Sequence, residues 1–187
     1  SNKNVRSRLM GIPTLISTST ASDTASVAIT SGIDGTYDEY MFVMTDINPA
    51  TDSAEFTFQA DVDGSTDYDL TMTTTAFFSY NQEDDGGAAL AYRTAGDQAQ
   101  GTAFQHIQID VGNGADESAV AILHLFNPSS TTYVKHFYCR SQCYQSTSTS
   151  QEFYTAGYFN TTTAIDKIQF KFSAGNLDGV IQLYGIA

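Results

Sequence analysis

Apolar and polar side chains alternate at every second residue in many segments of this sequence. The segment KIQFKFSAGNLDGVIQLYGI shows the pattern twice, first with Ile168, Phe170 and Phe172 and then with Ile181 and Leu183. Side chains two residues apart lie on the same face of a β-strand. Each half of the segment therefore predicts a strand with one buried face, and the turn residues AGNLDG predict a terminal β-hairpin.

Ten segments of this kind follow one another along the chain. They are residues 25–30, 37–47, 53–63, 68–80, 102–112, 117–127, 132–145, 151–160, 165–174 and 179–186. Clusters of Gly, Asn, Asp, Pro and Ser separate them, as expected for turns. Residues 81–100 interrupt the series and are interpreted as a long surface loop. The pattern predicts an all-β fold, an antiparallel β-sandwich of jelly-roll type with about ten strands.

The beginning of the sequence differs from the rest in charge and in pattern. Lys3, Arg6 and Arg8 are three of the eight Lys and Arg residues, and no alternation surrounds them. The length of 187 residues suits a single domain. We predict an extended N-terminal arm over residues 1–15 that attaches to a neighbouring protein, followed by one β-sandwich domain over residues 16–187.

The formal net charge of −13 bears on the class of partner. All 21 acidic residues follow the basic start, and an acidic surface repels nucleic acid. No apolar run approaches the roughly 18–20 residues of a membrane span. We therefore expect neither nucleic acid nor a membrane as a partner.

A cluster of four aspartates in DVDGSTDYD is a candidate calcium site. The residues are Asp61, Asp63, Asp67 and Asp69. Ca²⁺ takes six to eight oxygen ligands, which clustered carboxylates around a Gly turn can supply. The alternative is a hairpin in which Asp-Gly forms the tight turn and the carboxylates point into solvent.

Catalytic signatures are missing from the sequence. His106, His124 and His136 fall on successive predicted strands, but their parity does not place them together. No G-x-S-x-G elbow or phosphate-binding glycine loop is present, so we expect no catalytic residues and no enzyme. Cys139 and Cys143 lie four residues apart on a predicted strand, about 13 Å, which is too far for a disulfide, so both should be free thiols.

Five tyrosines in or beside polar stretches are candidate interface residues. They are Tyr80, Tyr92, Tyr144, Tyr154 and Tyr158. Three interpretations stay open for them: covering the edge of the core, anchoring a subunit interface, or stacking on a glycan.

Several segments together resemble a known group of proteins. They are TSGIDGTYDEYMFVMTDINPATDSAEFTFQADVDG, HLFNPSSTTYVKHFY and AGYFNTTTAIDKIQFKFSAGNLDGVIQLYGI. From about residue 22 to residue 187 the chain is similar to short virion proteins of tailed bacteriophages, especially marine ones. The resemblance implies a β-sandwich subunit displayed on the particle, commonly as a homo-oligomer, and it assigns no functional residues.

The expected function is therefore that of a non-enzymatic phage structural protein. We expect a homo-oligomer, such as a trimer, that decorates the capsid exterior after synthesis in the host cytoplasm. The arm with Lys3, Arg6 and Arg8 would bind the major capsid protein or another virion protein. The alternative is a tail-fibre or receptor-type carbohydrate-binding module, with Ca²⁺ as a candidate cofactor.

Overall fold

The structure is a computed structural model that describes residues 11–187, and these residues form thirteen strands. The strands are β1 (Thr14–Thr24), β2 (Val27–Ile29), β3 (Glu39–Pro49), β4 (Ala54–Val62), β5 (Met72–Gln82), β6 (Ala88–Tyr92), β7 (Ala99–Gly101), β8 (Gln105–Val111), β9 (Ala119–Phe126), β10 (Lys135–Gln145), β11 (Thr149–Phe159), β12 (Ile165–Phe172) and β13 (Leu177–Ile186). Every strand pair is antiparallel. Within residues 11–187 there is no helix with the length and hydropathy of a membrane span. The prediction of an all-β antiparallel fold is confirmed.

The strands form two runs of hydrogen-bonded neighbours. The broad run has the order β1-β13-β3-β9-β10-β11-β5, with β6 and β7 on the far side of β5, and the narrow run has the order β8-β4-β12-β2. A single residue pair, Gln145 with Val111, links β10 to β8. At the other end β1 contacts β2. The sheet is therefore nearly closed and barrel-like.

The aromatic core lies between the two runs. Phe42 of the broad run and Phe170 of the narrow run are fully buried, with ring centroids 5.6 Å apart. Phe58 on β4 meets Phe137 at 5.1 Å and Phe159 at 6.2 Å, both on the broad run. Because these strands are not hydrogen-bonded to one another, the rings join the two runs by packing alone.

The predicted terminal hairpin is wrong, although its buried residues are correct. Ile168, Phe170, Ile181 and Leu183 are all 0–1 % exposed. However, β12 lies between β4 and β2, whereas β13 lies between β1 and β3. The chain crosses from one run to the other, with Gly175 at φ 75°. Alternation defines which face of a strand is buried, but not which strand lies beside it.

Residues 81–100 were predicted as a loop, and they contain two strands that pair with β5. All five residues of β6 are exposed, so this edge strand shows no alternation. Strand β1 was also missed, because Ala21 is its one buried residue. It begins at Thr14, inside the predicted arm 1–15. The described residues thus hold thirteen strands against the ten predicted, and Lys3, Arg6 and Arg8 lie outside them.

Both cysteines point into the core from β10 and are free thiols. Cys139 is 2 % exposed and Cys143 is fully buried. Burial raises the pKa of Cys139 well above its usual range and that of Cys143 to about 12. Only the thiolate reacts as a nucleophile, so the native fold protects both side chains.

We expect iodoacetamide to leave both thiols unmodified in the folded protein at pH 8. With a pKa of about 12, about one Cys143 in ten thousand is ionised at this pH. In concentrated guanidinium both should react rapidly, and intact-mass spectrometry would count the adducts. Rapid labelling of Cys139 or Cys143 without denaturant would contradict their placement in the core.

Candidate functional site

The solvent side of the broad run carries many apolar and aromatic side chains. We call this surface the outer face. It comprises Met41, Val43, Phe77, Leu90, Tyr92, Val120, Ile122, His124, Phe126, His136, Tyr138, Arg140, Gln142, Glu152, Tyr154 and Tyr158. On β9 and β10 these residues alternate with buried ones. Tyr138 is 46 % exposed, and Val120 and Ile122 are 44 % and 43 % exposed. The outer face is thus an apolar surface left open to water.

Strand register places these side chains in rows across the sheet. One row crosses six neighbouring strands. Its members are Val43, Ile122, Arg140, Tyr154, Phe77 and Tyr92. Side chains directly opposite each other on neighbouring strands lie close enough to contact. The row therefore forms one continuous surface, although its members come from six separate parts of the sequence.

The rings at the centre of this row are stacked. Phe77 and Tyr154 have centroids 4.6 Å apart and planes 10° apart. The Arg140 guanidinium lies 5.5 Å from the Tyr154 ring and forms an ion pair with Glu152. An aromatic stack with an adjacent ion pair presents a flat surface on which the positive and negative charges are matched.

A second aromatic group lies on β9 and β10. Tyr138 stacks on His124 at 4.6 Å and contacts Phe126 at 5.5 Å. Nδ1 of His124 is within hydrogen-bonding distance of the Glu39 carboxylate. Tyr138 was not among the predicted interface residues. Its parity with Arg140 would have marked it as pointing outward.

Two shallow depressions lie on the outer face, each of about 410 Å³. Val43, Val120 and Ile122 form the apolar floor of the first, and Arg140 and Glu152 contribute polar groups to its lining. The second is lined by aromatic and polar side chains, including Phe126, His136, Tyr138 and Tyr158. The outer face thus offers two depressions, as well as apolar surface area, to a partner.

The structure brings together most of the tyrosines selected from the sequence. Tyr92, Tyr154 and Tyr158 belong to the outer face, and Tyr144 lies near the end of β10, opposite Ser150. Tyr80 is on the other side of β5, where its ring is nearly parallel to that of Phe78.

The four aspartates of the predicted calcium site are not arranged as a group that could hold a metal ion. Asp61 is buried and accepts hydrogen bonds from the backbone amides of Val62 and Tyr68, while the other three are exposed. The Lys167 ammonium donates to the carbonyl oxygens of Val62 and Ser65, at 3.2 and 2.8 Å. Among residues 11–187 no three or more His, Cys, Asp or Glu side chains are arranged to hold a metal ion. In this loop the positive charge next to the backbone oxygens comes from Lys167.

The Asp-Gly turn predicted as the alternative is present, but it does not make a hairpin. The Ser65 amide donates to the Val62 carbonyl at 3.2 Å, and Gly64 has a φ of 78°. The strands on either side of this turn, β4 and β5, belong to different runs. Calcium binding at Asp61, Asp63, Asp67 and Asp69 stays a prediction.

His106 lies apart from the other two histidines, half-buried on β8. Burial lowers its pKa, and Arg93 adds to this effect, whereas Glu55 and Asp110 oppose it. Its Nδ1 atom is buried and has no hydrogen-bond partner. The neutral imidazole is therefore the form that the fold favours.

We expect the protein to lose stability as the pH falls below about 6.5, the usual histidine pKa, because unfolding lets His106 take up a proton. His106→Gln should flatten this part of the pH profile, measured as urea midpoints between about pH 5 and 7. Asp110→Asn is the control, since burial raises the Asp110 pKa and its contribution has the opposite sign. An unchanged slope in His106→Gln would contradict the assignment.

Comparison with known proteins gives no further identification. No protein-family model matches the sequence, and a search of curated proteins returns no significant match.

Proposed function

We propose that the protein is a non-enzymatic structural subunit of a bacteriophage virion and that it associates with further copies of itself through the outer face. Its place would be the virion surface, as a homo-oligomeric decoration protein on the capsid exterior that is made in the host cytoplasm. A jelly-roll sandwich, with the two runs of strands as its two layers, is the architecture that we propose for the subunit.

The outer face is the observation that carries this proposal. Protein interfaces are enriched in Tyr, Phe, Met and Arg relative to the rest of the surface. Tyr and Arg also supply much of the binding energy of typical interfaces. The outer face concentrates these residue types, and large exposed apolar patches mark interaction sites.

Charge favours a second copy as the occupant of this face. Copies of a chain with a net charge of −13 repel one another over most of their surface. The outer face instead holds the ion pair of Arg140 with Glu152 and the contact of His124 with Glu39. Two such faces can meet with little repulsion, and Arg140 and Glu152 can also pair between copies.

The dimensions of the face meet the requirement of a specific interface. Six strands span about 24 Å at about 4.8 Å per spacing, and β9 from Val120 to Phe126 spans about 20 Å. The face therefore offers about 500 Å² per copy, or about 1,000 Å² for a pair, which is near the lower limit for a specific complex. A trimer would set the same face against another surface of the next copy.

The predicted arm belongs to the same proposal. Lys3, Arg6 and Arg8 lie outside the described residues, and their role as an attachment to the major capsid protein or another virion protein rests on their charge. The first described residue, Gly11, donates from its amide to the carbonyl of Ala187 at 3.3 Å. Gly11 follows the basic residues of the arm in sequence, and its partner Ala187 follows β13. The arm is therefore joined to the described part of the chain beside the end of β13.

Sedimentation velocity of the full chain, combined with hydrogen exchange, tests the proposal. We expect a homo-oligomer at micromolar concentration, with slowed amide exchange on β9, β10 and β11 as the concentration rises. Cryo-electron microscopy of the intact virion would then show the copy number and the neighbour of residues 1–15. A monomer at all concentrations, or density confined to the tail, would contradict the decoration role.

A second function, glycan recognition as in a receptor-type carbohydrate-binding module, is favoured by a different feature. A small polar cavity lies beside Tyr80, on the opposite side of β5 from the outer face.

A further inference from the structure

The cavity beside Tyr80 opens between β5, β8 and β11 and has a volume of about 230 Å³. Phe78, Tyr80, Arg93, Asp110, Gln145 and Thr147 are among its lining residues. Ligand sites for drug-sized molecules measure roughly 300–1,000 Å³. This smaller cavity suits a single small ring.

The polar wall of the cavity is held rigidly. Thr149 and Gln151 are 1 % and 3 % exposed. The Gln151 amide donates to Oε1 of Gln108 at 3.2 Å and to the carbonyl oxygen of Ile109 at 2.9 Å. Polar groups fixed in this way bind a ligand without a further ordering cost. They also disfavour an apolar ligand, which would leave the other polar groups of the wall unpaired.

Arg93 and Asp110 place opposite charges at the same cavity. The Nε atom of Arg93 is buried without a hydrogen-bond partner, and its guanidinium lies 6.0 Å from the Phe78 ring. Because the two charges compensate each other, the cavity favours a neutral ligand.

An aromatic wall completes the cavity. Phe78 and Tyr80 have ring planes 11° apart and centroids 6.1 Å apart. Tyr80 is half-exposed, so one part of its ring remains accessible from solvent. Aromatic side chains combine a large apolar contact area with a defined geometry, and the flat face of Tyr80 matches the C–H face of a sugar ring.

We propose that this cavity binds one neutral sugar ring, with Tyr80 stacked on the ring and with Arg93 and Asp110 hydrogen-bonded to neighbouring hydroxyl groups. Asp110 accepts from one hydroxyl, and the guanidinium of Arg93, which lines the cavity, donates to the other. The assignment specifies the site for the second function, glycan recognition, and is independent of association through the outer face.

Saturation-transfer NMR of the full chain with glucose, galactose, mannose and N-acetylglucosamine, each added alone, tests the proposal. We expect transfer to at least one of the four at millimolar concentration. Tyr80→Ala and Arg93→Gln should each weaken binding about tenfold or more, which corresponds to about 1.4 kcal/mol. Tyr133→Ala, at a tyrosine that is 69 % exposed and belongs to neither the cavity lining nor the outer face, is the matched control and should bind like the unmodified chain.

A second measurement does not depend on the variants. Amide and side-chain NMR shifts of the unmodified protein should move at Tyr80, Arg93 and Gln145 when the sugar is added. Absence of transfer to all four sugars would overturn the proposal. Unchanged binding in both folded variants, or shifts confined to the outer face, would also overturn it. The decoration role is tested independently of sugar binding, by the oligomeric state of the protein in solution.

Discussion

Phe58→Ala is expected to lower the free energy of unfolding by about 3–5 kcal/mol, the usual cost of deleting a fully buried phenylalanine ring. Phe58 is 0 % exposed and contacts Phe137 and Phe159 across the interior, as well as Phe170 at 6.4 Å on the neighbouring strand. Since a single residue pair links the two runs in the strand ladder, the cavity left by this ring would weaken the packing that helps to keep them together.

Urea or guanidinium unfolding, followed by far-ultraviolet circular dichroism, would measure this loss. Phe77→Ala is the matched control, because it removes the same ring from a position that is 42 % exposed. It should cost about 1 kcal/mol or less. Equal losses in the two variants would show that Phe58 does not occupy the centre of the core.

Ile122→Lys is expected to weaken the proposed self-association about 100-fold or more, since an unpaired charge at a buried contact costs several kcal/mol. Ile122 lies at the centre of the outer face, between Val43 and Arg140. A lysine there places a second positive charge next to Arg140, and the ion pair of Arg140 with Glu152 leaves no spare carboxylate on that side. The subunit itself should stay folded, because Ile122 is 43 % exposed.

Tyr133→Lys is the control for this experiment. It introduces the same charge at an apolar residue that is 69 % exposed and lies in the loop between β9 and β10, outside the set of residues that forms the outer face. Sedimentation equilibrium of the three proteins should show a loss of association in Ile122→Lys alone. If Tyr133→Lys dissociates the oligomer equally, net charge and not the outer face would control assembly.

The parity of the side chains could be predicted from the sequence, and the strand neighbours could not. Alternation marked the buried residues of β12 and β13 correctly, because a strand covering a core shows its buried face in its own sequence. The predicted pairing of these two strands was wrong, because a short turn between two alternating segments can also carry the chain from one run of strands to the other. Strand β6 could not be predicted, because an edge strand with both faces exposed to water shows no alternation of apolar and polar residues.

The candidate site was predictable in part for the same reason. Tyr154 and Tyr158 were selected because they lie in or beside polar stretches, and the structure places both on the outer face. Their neighbours Phe77 and Ile122 come from distant strands, and only register across the sheet brings them together. Tyr80 was selected on the same grounds, but its parity on β5 places it on the other side, beside Arg93.

The pairing of β1 with β13 sets the order in which the chain can fold. Thr14 lies opposite Gly185, and the Asp23 amide donates to Asp178 at 2.7 Å, across 155 residues of sequence. Contacts between such distant segments slow folding, because the loop must close before they form. A chain emerging from the ribosome therefore holds β1 without a partner until β13 has been synthesised. The fully paired sheet can form only after β13 has left the ribosome.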